Sequence, residues 1–145
     1  MRCDVAVDID SSPEYVWAVL ADVRRWPTWT SAVREVSLPD GGAFRLGSVV
    51  RIRSRRLPDR TWRVSSYATY RGFTWSADGL GSRATIAFRL TPGEGTTRLT
   101  VAHERGGWIA GAVQHATHRT VENHLQALAD GLKARCEQRR TAVQH

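Results

Sequence analysis

Between residues 32 and 105 the apolar side chains of this chain recur at every second position. Beyond Gly106 and Gly107 they recur every three to four positions for about thirty residues. No single element satisfies both periods, so the switch divides the chain into a run of strands followed by one long helix. Six segments carry the two-residue period: AVREVSL, SVVRIRSR, RTWRVSSYAT, RGFTWSA, SRATIAFRL and TTRLTVAHER. Turn-forming clusters separate them: PDGG at 39–42, LPD at 57–59, DGLGS at 78–82 and TPGEG at 91–95. Connections that short join antiparallel neighbours. The opening RCDVAVDI, with Cys3, Val5, Val7 and Ile9 on one face, adds a strand at 2–9 and makes seven.

Between the first and second strands lies SSPEYVWAVLADVRRWPTWT, residues 11–30. Ser11 or Ser12 can cap a helix, Pro13 suits its first turn, and Ser11 with Glu14 matches a capping box. Val16, Val19, Leu20 and Val23 mark its apolar face, with Trp17 beside it. Asp22 can cap a second short helix, which Pro27 prevents from running on. The order is therefore strand, two short helices, six strands, long helix: an α+β domain spanning 1–145. Seven antiparallel strands make a sheet large enough to curl, and the long C-terminal helix can lie in its concave face. The short helices plug one end, with Trp26 as the plug and Trp29 bordering the entrance. A sheet curled over a helix rarely fills completely with side chains, so an internal cavity is expected.

The same residues carry a family resemblance. SSPEYVWAVLADVRRWPTWTSAV, with its Pro-Glu-x-Val-Trp helix start and Trp-Pro-x-Trp exit, resembles the N-terminal signature of the polyketide cyclase/dehydrase branch of the START-like (SRPBCC) superfamily. Gly47 before the third strand and ENHLQALADGLK in the last helix are similar to that family too, so the resemblance covers nearly the whole chain. It implies a helix-grip fold, a seven-stranded curved antiparallel sheet wrapped around a long C-terminal helix, with a hydrophobic ligand pocket between them. It does not fix the activity, because the superfamily mixes cyclases, lipid and quinone carriers, hormone receptors and stress proteins.

Composition sets bounds on the rest. One domain of 145 residues buries roughly 68–70% of its unfolded surface. No apolar run approaches the ~18 residues of a membrane span, and MRCDVAVDID is acidic where a secretion signal would be basic. A cytoplasmic protein without membrane insertion is expected. Cys3 and Cys136 sit near opposite ends in no metal-binding pattern and read as free thiols. The net charge is +7, and Lys133 is the only lysine among 21 basic residues. Arginines concentrate in RIRSRRLPDRTWR at 51–63, where Arg51, Arg53 and Arg55 alternate with Val50, Ile52 and Ser54. That is the outward face of a strand, and no DNA- or RNA-binding signature accompanies it. Nucleic acid is thus not the expected partner; a hydrophobic small molecule is, and a homodimer is compatible with the sequence.

Candidate site residues follow from which faces point inward. On the last helix His118, Val121, Leu125, Leu128 and Leu132 share a face that continues back through Gln114 and Gly111. Strand parity adds Trp62, Val64, Ser66 and Ala68; Phe73 and Trp75 with Arg71; Ala84, Ile86, Phe88 and Leu90; and Leu99, Val101 and His103. Trp29, Trp62, Ser66, Phe73, Trp75, Phe88, Gln114 and Val121 are the expected ligand-binding residues. His118 and His103 can supply acid and base near neutral pH, although each also reads as a core histidine bonded to a carbonyl. Arg71 at the pocket mouth could polarise a keto oxygen. His118 and Glu122, four apart on the helix, could hold a metal ion, but catalytic zinc normally takes three protein ligands. No metal and no cofactor is expected. No GxSxG elbow, phosphate loop or dinucleotide fingerprint is present. Two readings follow from the resemblance and the cavity together. One is a cofactor-independent cyclase/dehydratase acting by aldol closure on a polyketide-like substrate; the other is a non-catalytic carrier or sensor of a quinone, lipid or other apolar metabolite.

Overall fold

A computed structural model describes the backbone of residues 2–79, 81–106 and 110–144, with the side chains of 118–138 described within the last helix. The elements run β1 (Arg2–Ile9), α1 (Pro13–Ala21), a 3-10 helix (Val23–Thr28), β2 (Val33–Ser37), β3 (Val49–Ser54), β4 (Arg60–Ala68), β5 (Gly72–Gly79), β6 (Ser82–Pro92), β7 (Thr97–Gly106) and α2 (Ala110–Gln144). One sheet holds all seven strands in the order β1-β7-β6-β5-β4-β3-β2, every pair antiparallel. β1 therefore leaves the meander and returns beside β7, placing the first and last strands at one edge. This is the helix-grip arrangement expected from the sequence. Among the described residues no helix is long and apolar enough to cross a membrane.

The short helices form where the sequence punctuates them, with one adjustment at the cap. Ser12, not Ser11, is the N-cap of α1, its Oγ accepting from the Tyr15 amide at 3.2 Å. Ser11 is buried, and its carbonyl accepts from the Thr97 hydroxyl at 2.8 Å, which ties the helix entry to β7. Pro27 sits inside the 3-10 helix, where the tighter spiral tolerates it. Trp26 is 1% exposed, and its indole donates to the Leu20 carbonyl at 2.9 Å. The Trp-Pro-Thr-Trp turn thus drives one tryptophan into the core while satisfying its only donor.

Val121, Leu125, Leu128, Leu132 and Cys136 are buried where α2 lies on the sheet. The C-terminal half of α2 is pinned to β1 and to the short helices. Lys133 Nζ donates to the Asp8 carbonyl and to Glu137, each at 2.6 Å, and Glu137 accepts from the Asp10 amide at 2.9 Å. Arg135 donates to the Thr28 carbonyl at 2.8 Å. Gly131 serves close packing: a methyl there would meet the Trp29 carbonyl at 2.5 Å. Cys3 and Cys136 are both buried and free. Burial, with Glu137 beside it, pushes the Cys136 thiol up to about 12, so it packs as an inert hydrophobe. The arginine face of β3 is solvent-exposed as expected, with Arg53 paired to Glu35 at 3.4 Å and to Asp59 at 3.6 Å.

Candidate functional site

The aromatic residues of β4, β5 and β6 meet the short helices in one cluster. Phe73 stacks on Phe88 with ring centroids 4.8 Å apart, and Trp26 approaches Trp75 at 5.4 Å and Phe88 at 5.5 Å. Above this floor a cavity of about 50 Å³ opens between sheet and helix. Trp26, Trp62, Trp75, Ile86, Phe88, Val121, Leu125 and Leu128 form its apolar wall. His103, His124, Arg60 and Arg105 form a polar end. An outer chamber of about 210 Å³, bounded by Ser31, Ala32, Arg55, Arg56, Thr120, Asn123 and Ala127, shares His124 with the inner one. His124 therefore lines both the apolar inner cavity and a basic outer chamber.

The polar end is electrostatically unusual. Burial, then the guanidinium groups of Arg105 and Arg60 and the neighbouring His124, push His103 down to about 4. Burial alone takes His124 down to about 4. Both imidazoles are therefore neutral at neutral pH, each with one nitrogen able to accept a proton. Burial and the adjacent Arg105 push Arg60 down from its ordinary value, while its guanidinium lies 5.9 Å over the Trp62 ring. Among the described residues, the Trp29 indole nitrogen outside the cavity is buried with no hydrogen-bond partner; of the cavity-lining residues, His103 Nδ1 and the Trp75 indole nitrogen are in the same position. A desolvated polar atom of this kind costs about 1–3 kcal/mol unless something binds to it. The His103 and Trp75 atoms are those a bound ligand would satisfy.

The structure brings five of the expected residues to the inner cavity: His103, Trp62, Trp75, Phe88 and Val121. Phe73 lies just below, a fully buried part of the aromatic floor. Gln114 lies outside the residues whose side chains are described. The other four are elsewhere, each for a local physical reason. Ser66 is exposed on the outer face because a β-bulge between Val64 and Ser66 resets the alternation, so that Tyr67 turns inward instead. Arg71 belongs to the turn before β5, where Gly72 takes φ +141°; it is exposed beside Arg89 and Tyr70, away from the cavity. Trp29 packs on Trp26 at 5.5 Å and lines a surface groove with Gly131 and Arg135. His118 is half-exposed with Nε2 3.5 Å from Glu122; six residues at ~100° each turn it about 120° around α2 from His124.

Three ionisable cavity residues escape the sequence reading. Arg60 shares the inward parity of Trp62, and Arg105 that of His103, but as charged residues at strand ends both read as outer surface. His124 is three residues after Val121 and four before Leu128, a spacing as regular as the stripe through His118. The signal is present in each case, and charge or a competing stripe hides it.

A family model described as polyketide cyclase / dehydrase and lipid transport matches residues 2–137. No curated protein matches the sequence at a significant level. Among solved structures, the Zhui aromatase/cyclase from Streptomyces sp. R1128 superposes with a TM-score of 0.81 at 17% identity, covering 96% of this chain and 94% of that one. The protein TTHA0849 from Thermus thermophilus gives 0.77 at 12% identity, covering 95% and 98%. A START superfamily protein from Mycobacterium smegmatis gives 0.70 at 19% identity, covering 94% and 97%. At these identities the likeness is one of fold.

Proposed function

The chain belongs to the polyketide cyclase/dehydrase and lipid-transport family, which supports a hydrophobic-ligand-binding role, and from that premise we propose that it cyclises and dehydrates a polyketide-like substrate held across its two chambers. The observation that carries this reading is the polar end of an otherwise apolar cavity: two neutral imidazoles beside two guanidinium groups. A carrier needs apolar walls and a few polar contacts for a head group; a neutral imidazole facing guanidinium groups can in addition accept a proton.

His103 removes a proton from the methylene between two carbonyls of the substrate. With a pKa of about 4 it is a weak base, so the transfer depends on the enolate forming against Arg60 and Arg105. The carbanion attacks a second carbonyl of the same chain, and the resulting alkoxide takes back the proton held by His103. His103 then takes a further ring proton and passes it to the departing hydroxyl, which leaves as water and completes the dehydration. Arg60 and Arg105 hold the enolate and alkoxide oxygens as charge develops there, in a site where low dielectric strengthens such contacts. The aromatic walls fold the chain so that carbanion and carbonyl meet, a positional effect that can replace ~7–11 kcal/mol of barrier. The inner chamber of about 50 Å³ is smaller than the ~150 Å³ that accommodates benzene in an engineered cavity. The substrate must therefore also occupy the outer chamber, passing His124, or spread the walls.

The test mixes purified protein with polyphenol, polyketide-mimic, quinone and fatty-acid ligands. Tryptophan quenching reads binding and mass spectrometry reads conversion. Conversion that His103→Leu abolishes while binding persists supports the enzyme. Binding with no conversion of any poly-keto chain replaces it with the carrier reading. Absence of quenching by every ligand overturns the cavity as a binding site.

A further inference from the structure

Outside the cavity, the seam between β1 and α2 brings Cys3 together with two residues more than a hundred positions away in sequence. His118 and Glu122, one helical turn from each other, lack a third ligand in the sequence pattern. In the fold Cys3 supplies it. The donor atoms of Cys3, His118 and Glu122 all lie within 4.8 Å of one another, and His118 Nε2 and Glu122 Oε2 are already 3.5 Å apart. In a tetrahedral zinc site, bond lengths of ~2.0–2.3 Å set donor-to-donor distances of roughly 3.3–3.7 Å. Closing the remaining distance requires a shift of at most about 1–1.5 Å, within reach of rotamer adjustment in half-exposed His118 and exposed Glu122. Cys3 is the fixed member: it is 6% exposed and held in register opposite His103 of β7.

We propose that Cys3, His118 and Glu122 bind one zinc ion, with the fourth position open to solvent. The donor set is one thiolate, one imidazole and one carboxylate, which suits a borderline cation such as zinc better than a hard one such as magnesium or calcium. A divalent cation at this point neutralises a thiolate and a carboxylate together. The bound ion would fasten the first strand to the last helix on the side of α2 turned away from His124.

The experiment uses the full-length, untagged chain stripped with chelator and then titrated with zinc, with cobalt as the spectroscopic probe. One equivalent of zinc should bind saturably and raise Tm, and cobalt should give a thiolate-to-metal charge-transfer band. Cys3→Ser should abolish that band, and Glu122→Gln should weaken zinc at least tenfold. Glu122 is exposed, so its substitution leaves folding intact and keeps the test valid even if Cys3→Ser destabilises the protein. Binding without the sulfur band, or binding unchanged by Glu122→Gln, places the metal elsewhere and overturns the proposal, as does the absence of a one-equivalent site.

Discussion

At the floor of the cavity, Trp26, Trp75, Phe73 and Phe88 meet ring to ring, and Trp26 finds a carbonyl for its indole. At the opposite end His103 leaves Nδ1 unpartnered and two guanidinium groups crowd the same space. The floor is what a sequence selected for stability produces: apolar area removed from water, with edge-to-face contacts adding about 0.5–1.5 kcal/mol per pair. The polar end runs against each of those preferences. Buried polar groups without partners and clustered like charges persist where something other than stability selects them. The two ends of one small cavity are therefore separable by mutation: one holds the fold, and the other is the seat of the proposed chemistry.

The largest effect belongs to the floor. Trp26→Ala removes a side chain 1% exposed and its hydrogen bond to Leu20, and should cost about 3–5 kcal/mol in denaturant unfolding. A loss below ~1 kcal/mol would mean that the aromatic cluster repacks freely and that the contrast between the ends is overstated. Trp29→Ala comes next. Its ring is half-buried against Trp26 and over Gly131, outside both chambers. It should cost about 2 kcal/mol, scaled down from full burial, and leave ligand quenching by the remaining tryptophans unchanged. That reverses the sequence expectation, in which Trp29 borders the entrance; a fall in ligand affinity with intact stability would reinstate it.

At the polar end the sign changes. His103→Leu replaces a buried, incompletely bonded imidazole with an apolar group of similar size, and should leave stability unchanged or raise it by about 1 kcal/mol. Conversion of the polyketide mimic should be lost in the same variant. A destabilisation of ~2 kcal/mol or more would show that His103 is a structural histidine whose second nitrogen carries the contact, and would remove the base from the proposed chemistry.

How much of this is legible in the sequence differs between the two ends. The strands, the short helices and α2 can be read because period two and period 3.6 are imposed by burial along whole elements, as in Val50 and Ile52 or Leu125, Leu128 and Leu132. The floor can be read for the same reason: Trp62, Trp75 and Phe88 lie in the regular interiors of strands. The polar end cannot. Arg60, Arg105 and His124 occupy inward positions with outward chemistry, and a parity rule tuned to apolar residues passes over them. Local irregularity defeats the rest. A bulge inserts Ser65 without any mark in the Ser-Ser pair that hosts it, and the turn at Arg71–Gly72 ends the alternation one residue too early for Arg71 to count. The Cys3–His118–Glu122 cluster depends on β1 returning beside β7, a pairing between chain ends that no local pattern encodes.

The smallest expected effect tests those corrections directly. Parity alone makes Ser66 an inner wall and Arg71 a mouth residue, yet Ser66 is exposed on the outer side of the sheet and Arg71 is exposed in the turn before β5. Ser66→Ala removes a hydroxyl in contact with solvent, and Arg71→Ala removes an exposed guanidinium. Surface changes of this kind stay within about 0.5 kcal/mol. Neither side chain reaches the inner or outer chamber, so ligand affinity and conversion should match the unmodified protein in both variants. Arg71 is the sharper case, since its charge could act at a distance. Within the ~10 Å Debye length at 0.1 M salt such an influence would weaken as ionic strength rises. A conversion defect in Arg71→Ala that salt does not diminish would mean direct contact with substrate, and would move the mouth of the site to the β4–β5 turn.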